Sequence, residues 1–193
     1  MLQINIDKDV IHPKLQGLLV CWLDAVFFDK DITEAHHTTE KVIEEYKVGY
    51  NRLGESVFWR IDKNGQPQGG VCSIVTEHGD MITTIDVTER LLPPSSIYAT
   101  GKEFFGGHLV TAGSTICVVP NEVKCLELAG KHPDYTWLAV GYGQDLCKEL
   151  LAKLTGCRVI LFPTDLEEEY WREVAKEFNG WIRVAATFCK KEN

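Results

Sequence analysis

The sequence predicts an α/β fold, in which a C-terminal parallel sheet with helices on both faces is preceded by a smaller helix-plus-β-hairpin region. Three observations support this prediction. Apolar strand-like segments alternate with helical segments from residue 115 onward, helical periodicity dominates near the start of the chain, and an Asn-Gly turn near residue 64 joins two strand-like segments. Near-continuous apolar strands that alternate with helices are typical of a parallel sheet covered on both faces.

The first predicted elements are two helices. Residues 14–28 place apolar side chains at the i, i+3 and i+4 spacing of an amphipathic helix. A second helix is predicted at about residues 39–47, with Thr38 or Thr39 as its N-cap and acidic residues in its first turns. The two histidines at residues 36–37 then fall between the helices, and we expect them to lie in a solvated loop.

A β-rich segment follows the helices. Asn64-Gly65 favours a tight turn with positive φ, and strand-like residues stand on both sides of it. The predicted strands are residues 56–61, 70–75 and 81–88. A Pro- and Ser-rich segment at residues 91–96 is predicted to be a linker. We therefore expect two domains, a helical and β-hairpin region at residues 1–94 and an α/β domain at residues 95–193.

The C-terminal part alternates strands and helices regularly. The predicted strands are residues 115–119, 136–140, 158–162 and 181–185. The predicted helices between them are residues 121–131, 144–154 and 166–178. Ligands of such sheets gather at the carboxyl ends of the strands. We therefore expect a functional site near Pro120-Asn121-Glu122, Gly141-Tyr142-Gly143 and the segment from Pro163 to Glu167.

Composition excludes several classes of protein. The 193 residues include 20 Lys+Arg and 28 Asp+Glu, a formal net charge of −8, which argues against strong non-specific nucleic-acid binding. The seven cysteines are odd in number and form no CxxC pair, which argues against a disulfide framework and a structural zinc site. No apolar run reaches the roughly 20 residues of a spanning helix, and no signal-peptide pattern opens the chain. We expect a cytoplasmic protein with no membrane partner.

Five segments, in order, carry a resemblance to a known family. They are YKVGYNRLGESVFWRIDKNGQPQGG, KEFFGGHLV, ICVVPNEVKCLEL, YTWLAVGYG and GCRVILFPTDLEEEYW, between residues 46 and 180. Together they resemble the Toprim domain, the metal-binding module of bacterial primases and of type IA and type II topoisomerases. The sequence is most similar to primase-like proteins of Bacteroidetes plasmids and mobile elements. The resemblance implies a parallel Toprim sheet and a function related to DNA replication.

The acidic motifs depart from the Toprim pattern. In the family, clustered carboxylates hold Mg²⁺, which neutralises phosphate charge during catalysis. Here the first acidic position is Pro120, while the second is kept as Glu122. After the third strand, Thr164 stands where the family has an aspartate, and Asp165 follows one residue later. A proline offers no side-chain oxygen and a threonine offers only a neutral hydroxyl, so the sequence predicts a degenerate active site.

The remaining acids leave two interpretations open. Glu122 as the catalytic residue, with Asp165 and Glu167 as metal ligands, would form a displaced Mg²⁺ site at two neighbouring strand ends. Alternatively, acids at a helix start stabilise the helix dipole, with Asp165 as the N-cap of the helix at residues 166–178. The capping interpretation is favoured, so no cofactor is expected, and Mg²⁺ is the cofactor to test.

The predicted hairpin carries cations that could contact phosphate, namely Arg52, Arg60 and Lys63. Three functional hypotheses follow from these residues and motifs. The first is a catalytically degenerate Toprim-fold protein that binds a nucleic acid or a replication partner. The second is an active Mg²⁺-dependent phosphoryl-transfer enzyme of the primase or nuclease kind. The third is a protein–protein interaction module, with homo-oligomerisation allowed, which the acidic surface favours over direct DNA binding.

Overall fold

The computed structural model describes residues 17–90, 102–178 and 180–185. Two four-stranded sheets organise these residues, one antiparallel and one parallel. The predicted linker at residues 91–96 lies outside the described residues, and so does the predicted boundary between residues 94 and 95. The division into two domains therefore stays a prediction.

From residue 17 onward, two helices precede the sheets, α1 (Leu18–Phe27) and α2 (Ile32–Glu45). The predicted start of α2 near residue 39, with a threonine cap, is wrong. The helix begins earlier because the Asp31 carboxylate accepts a hydrogen bond from the Thr33 amide at 2.8 Å and so caps the first turn. The expected histidine loop is wrong for the same reason, since His36 lies inside α2 and its Nδ1 is 2.9 Å from Asp24 of α1.

The antiparallel sheet confirms the predicted hairpin. Its strands, paired in chain order, are β1 (Gly49–Tyr50), β2 (Ser56–Ile61), β3 (Pro67–Val75) and β4 (Met81–Asp86). The β2–β3 turn forms because the Asp62 carboxylate accepts hydrogen bonds from the amides of Asn64 and Gln66, at 2.8 and 2.9 Å. Gly65 supplies the left-handed conformation of that turn, at φ 77°. A short helix, α3 (Val87–Arg90), follows β4.

The parallel sheet confirms the predicted α/β fold. Its strands are β5 (Thr115–Val119), β6 (Thr136–Ala139), β7 (Arg158–Leu161) and β8 (Ile182–Val184), in the order β6-β5-β7-β8. The helices between them are α4 (Glu122–Lys131), α5 (Lys148–Ala152) and α6 (Glu168–Lys176). Helix α5 is shorter than predicted because the Gln144 side-chain amide binds the carbonyls of Glu103 and Val140, which holds its approach segment outside the helix.

The core has one cluster of buried side chains on each face of the parallel sheet. Cys117 and Val119 of β5 pack on one face with α4, with the two N-terminal helices and with the antiparallel sheet. Ile116 and Val118 point to the other face, where α5 and α6 cover them. Tyr46, at the end of α2, donates a hydrogen bond to the Trp137 carbonyl at 2.8 Å, which ties the N-terminal helices to β6. None of the described helices has the length and apolar character needed to cross a membrane.

Candidate functional site

A cleft of about 340 Å³ lies at the carboxyl ends of the parallel strands. We call it the strand-end cleft. Its polar and aromatic lining comes from the segments after β5, β6 and β7, and consists of Asn121, Tyr142, Gln144, Asp145, Thr164, Glu167, Tyr170 and Trp171. Parallel strands direct these segments to one edge of the sheet, which is where ligands of open α/β sheets bind. The cleft lies at the strand ends where the sequence predicts a functional site, and its function stays a prediction.

Glu122 does not face this cleft. Asn121 caps α4 by accepting the Lys124 amide at 2.8 Å, so Glu122 becomes the first residue of the helix. Its side chain is completely buried, at 0% exposure. The carboxylate oxygens lie 3.1 and 3.3 Å from the Tyr142 amide nitrogen, which donates to them. The carboxylate predicted to be catalytic therefore holds the loop after β6 from the buried side.

Arg60 of β2 binds the next peptide group of the same loop, between Tyr142 and Gly143. Its Nη2 donates to the Tyr142 carbonyl at 2.6 Å, so the antiparallel sheet reaches the strand ends of the parallel sheet. The Arg60 side chain is buried, and its Nε finds no hydrogen-bond partner among the described residues. Gly141 makes room for this arrangement, since a Cβ there would lie 2.7 Å from Glu122 Oε1 and 3.2 Å from Arg60 Nε.

We call the contact of Glu122 and Arg60 with the Tyr142 backbone the junction. Burial is the largest influence on the pKa values of both side chains. It raises the pKa of the Glu122 carboxyl above its ordinary value, while the Arg60 charge and the Tyr142 amide act in the opposite direction. Burial likewise lowers the pKa of Arg60, and the negative charges of Glu122 and Asp86 oppose that change. Each group is thus retained in the interior by the hydrogen bond that it makes to the Tyr142 peptide.

Asp165 and Glu167 lie at the end of β7 in different roles from those predicted. Asp165 is exposed and is not the N-cap of α6, so that prediction is wrong. The cap position belongs to Glu167, whose Oε2 turns back to accept from the Thr164 amide at 3.1 Å and from the Thr164 hydroxyl at 2.7 Å. Thr164 and Glu167 therefore close the segment before α6, and this interaction fixes the Glu167 carboxylate at the cleft.

The three predicted site carboxylates are not gathered into one cluster. Among the residues that the structure describes, no group of three His, Cys, Asp or Glu side chains is placed to hold a metal ion. Glu122 lies in the core, Glu167 at the cleft and Asp165 in solvent. The predicted metal roles of Asp165 and Glu167 stay predictions.

The three predicted phosphate-binding cations do not form one patch either. Arg52 lies in the turn before β2 and Lys63 in the turn after it, which places them at opposite ends of a six-residue strand. At about 3.3 Å per residue, these ends are roughly 20 Å apart. Arg60 is buried near one end and is already bound to Tyr142. Only Lys63 therefore combines exposure with a position beside the parallel sheet.

Lys63 lines a second cleft, of about 360 Å³, between the β2–β3 turn and the α/β unit. We call it the inter-sheet cleft. Its charged lining consists of Asp62, Lys63, Glu103 and Lys153, and Phe104, Val110 and Leu154 contribute apolar surface. Lys153 Nζ is 2.7 Å from Glu103 Oε2. Our sequence analysis missed Lys153, because nothing in its local sequence indicates that the fold brings it near Lys63.

The family model described as domain of unknown function (DUF6371) matches residues 19–165. This match covers well over half of the chain, so the chain belongs to the DUF6371 family. No curated protein matches the sequence significantly.

Several solved structures share the fold. The E. coli primase catalytic core aligns with a TM-score of 0.56 and 16% identity, covering 93% of this chain and 72% of that chain. The DnaG primase catalytic domain bound to ssDNA aligns with a TM-score of 0.53 and 14% identity, covering 89% of this chain and 74% of that one.

A third match is the structure of the bacteriophage T7 lagging-strand DNA polymerase interacting with primase domains of two gp4 subunits bound to an RNA/DNA hybrid and dTTP. It aligns with a TM-score of 0.52 and 17% identity, covering 80% of this chain and 78% of that chain. The chain also spans 62% of the primase fragment of the bacteriophage T7 primase-helicase protein. At these identities the likeness establishes a primase-like fold.

Proposed function

We propose that this DUF6371 protein with a primase-like fold binds single-stranded nucleic acid in its inter-sheet cleft and carries out no metal-dependent phosphoryl transfer of its own. The observation that carries the proposal is the exposed ammonium group of Lys63 on a cleft that it shares with Lys153, which is paired with Glu103, and with Asp62. Ammonium groups that line a groove attract a phosphate backbone. The likeness to a DnaG catalytic domain bound to ssDNA supports the same ligand class.

The chemistry of the strand ends supports the non-catalytic part of the proposal. Pro120 and Thr164 occupy positions where the Toprim pattern has carboxylates. Glu122, the acid that is kept, is buried and bound to the Tyr142 amide. A carboxylate in that state would have to leave the core before it could take part in Mg²⁺ binding or proton transfer.

The sequence resemblance supplies the biological setting that we propose. We propose that the protein acts in the cytoplasm of a Bacteroidetes bacterium and serves the replication of plasmids or other mobile elements. A replication protein is the partner that would meet it on single-stranded DNA. Light scattering at two protein concentrations would decide whether the chain acts as a monomer or as a homo-oligomer.

The nucleic-acid proposal is tested by fluorescence anisotropy with a labelled single-stranded oligonucleotide at 50 and 200 mM salt, without divalent metal. We expect binding that weakens as salt increases, since each phosphate contact releases a counterion. Lys63→Ala should lower the salt slope by about one unit relative to the parent protein. The matched control is Lys30→Ala, an exposed lysine between α1 and α2 and outside this cleft. No binding at either salt concentration, or equal effects of the two variants, would contradict the proposal.

A Mg²⁺-dependent transfer enzyme is the second candidate, and one observation favours it. Two carboxylates, Asp145 and Glu167, line the strand-end cleft of a fold shared with primase catalytic cores. A Mg²⁺ or Mn²⁺ titration followed by thermal unfolding tests this candidate. A rise in melting temperature at millimolar metal that is lost in Glu167→Ala would support it by mass action.

The third candidate, a protein-interaction module, is favoured by the net charge of −8.

A further inference from the structure

We propose that the strand-end cleft receives one nucleobase of the bound strand, stacked on the ring of Tyr142. This inference rests on the proposed function and names the part of the ligand that each cleft takes. The inter-sheet cleft contacts the phosphate backbone, whereas the strand-end cleft contacts a base. Its volume of about 340 Å³ is within the range of pockets that hold small planar ligands.

The lining of the strand-end cleft suits a base rather than a phosphate. Among the described residues that line it, none is a lysine, arginine or histidine, and two are the carboxylates Asp145 and Glu167. Carboxylates repel a phosphate in the absence of a cation. Tyr142 and Tyr170, by contrast, expose 56% and 49% of their surface. Every nucleobase has a π-face that stacks on such rings, whatever the sequence.

Tyr142 is held in place before any ligand arrives. Its amide donates to Glu122 and its carbonyl accepts from Arg60, so the peptide groups on both sides of the Tyr142 Cα are fixed by buried side chains. The side chain nevertheless remains in solvent. A fixed backbone under an exposed ring reduces the ordering entropy lost on binding. This role explains why two buried ionisable side chains, Glu122 and Arg60, both bind the backbone of one exposed residue.

The two clefts are neighbours. Gln144 lines the strand-end cleft, and its side-chain amide donates at 3.0 Å to the carbonyl of Glu103, which lines the inter-sheet cleft. A strand whose phosphates contact Lys63 and Lys153 can therefore turn a base across this contact toward Tyr142. One nucleotide chain would then occupy both clefts.

Glu167 gives the pocket a preference among bases. Its carboxylate is held by Thr164 through Oε2 and lines the cleft as a hydrogen-bond acceptor. Carboxylates accept from exocyclic amino groups, as in recognition of the cytosine N4 group. Thymine has no such group. The pocket therefore favours bases with an exocyclic amino group, and we infer tighter binding of oligo(dC) than of oligo(dT).

The test compares Tyr142→Ala with Tyr142→Phe and Tyr135→Ala, using labelled oligo(dC) and an abasic oligonucleotide of the same length. Tyr135 is the matched control because it is 46% exposed and lies at the opposite end of β6. Loss of the Tyr142 ring should weaken oligo(dC) binding about tenfold, as expected for one stacked base. Tyr142→Phe and Tyr135→Ala should bind as the parent protein does. The parent should prefer oligo(dC) to the abasic strand, and Tyr142→Ala should lose that preference while its salt slope stays unchanged.

The outcomes separate this inference from the proposed function. If the parent binds oligo(dC) with the expected salt dependence and Tyr142→Ala binds equally well, the base pocket is overturned and backbone binding stands. If the parent binds none of the strands, both proposals fail. Because the substituted ring is exposed, circular dichroism and thermal unfolding should show a folded Tyr142→Ala protein, and an unfolded one would overturn the assignment of Tyr142 as a surface platform.

Discussion

The segments that follow β5 and β7 lie at the same edge of the parallel sheet, yet they use their glutamates in opposite ways. Glu122, after β5, is fully buried and binds the Tyr142 peptide of the next loop. Glu167, after β7, is half-buried, binds Thr164 of its own loop and lines the cleft. Two acids at comparable places in a primase-like sheet thus serve different purposes, one in holding the loop after β6 and one in shaping a surface.

The largest difference should appear when each carboxylate is removed. Glu122→Ala deprives the Tyr142 amide of its acceptor and removes the Glu122 charge that faces the buried Arg60, so we expect a loss of about 3–5 kcal/mol in the free energy of unfolding. Glu167→Ala removes only a surface contact and should change it by about 0.5 kcal/mol or less. Urea denaturation measures both values. Equal losses would show that Glu122 does not hold the junction.

Two glycines of the loop after β6 sharpen the same comparison. Gly141 and Gly143 both have positive φ, at 90° and 76°, so alanine at either position carries about 1–2 kcal/mol of left-handed strain. Only at Gly141 would the added Cβ meet the buried carboxylate, at 2.7 Å, whereas no described atom lies within 4 Å of a Cβ at Gly143. Gly141→Ala should therefore destabilise the protein more than Gly143→Ala. Similar melting temperatures for the two variants would contradict the close approach to Glu122.

The free energy of unfolding should depend on pH through the buried Glu122 carboxyl group. The unfolded chain releases the Glu122 proton near the ordinary pKa of 4.5, whereas burial raises the pKa in the folded state. Between these two values the folded state binds more protons, so its stability falls as pH rises.

Glu122→Gln keeps an oxygen acceptor for Tyr142 without titrating. The stability of the parent relative to Glu122→Gln should therefore be greatest below pH 4.5 and decline as pH rises through the folded-state pKa. Chemical denaturation at half-unit pH intervals measures this difference. A difference that stays constant or grows with pH would contradict the raised pKa.

The parts of the molecule that the sequence predicts are those set by local pattern. Apolar runs such as Thr115–Val119 and Arg158–Leu161 predict the parallel strands, and Asn64-Gly65 predicts the hairpin turn. The start of α2 was misplaced because its cap, Asp31, stands in an acid-rich segment where several residues could serve equally well.

The junction at Tyr142 could not be predicted in the same way. An acid in the first turn of a helix is ordinarily a solvated partner of the helix dipole. Only the packing of β2 against the loop after β6 brings Arg60 and Glu122 together at the backbone of Tyr142. The inter-sheet cleft has the same origin, since Lys63 of the β2–β3 turn and Lys153 at the end of α5 meet only through tertiary structure.

The smallest expected effect concerns the surface acid. Glu167→Gln keeps the size of the side chain and an oxygen that can accept from Thr164, but it replaces a charged acceptor at the cleft by a neutral amide that also donates. Stability should be nearly unchanged, while the preference for oligo(dC) over oligo(dT) should fall by a factor of about 5, near the lower end of what one base-specific contact contributes. Anisotropy titrations with both strands measure the ratio, and Glu169→Gln, an exposed acid on α6 outside the cleft, is the control. If both variants keep the parent's ratio, then Glu167 does not recognise the base. Glu122 and Glu167 would then differ only in how deeply they are buried.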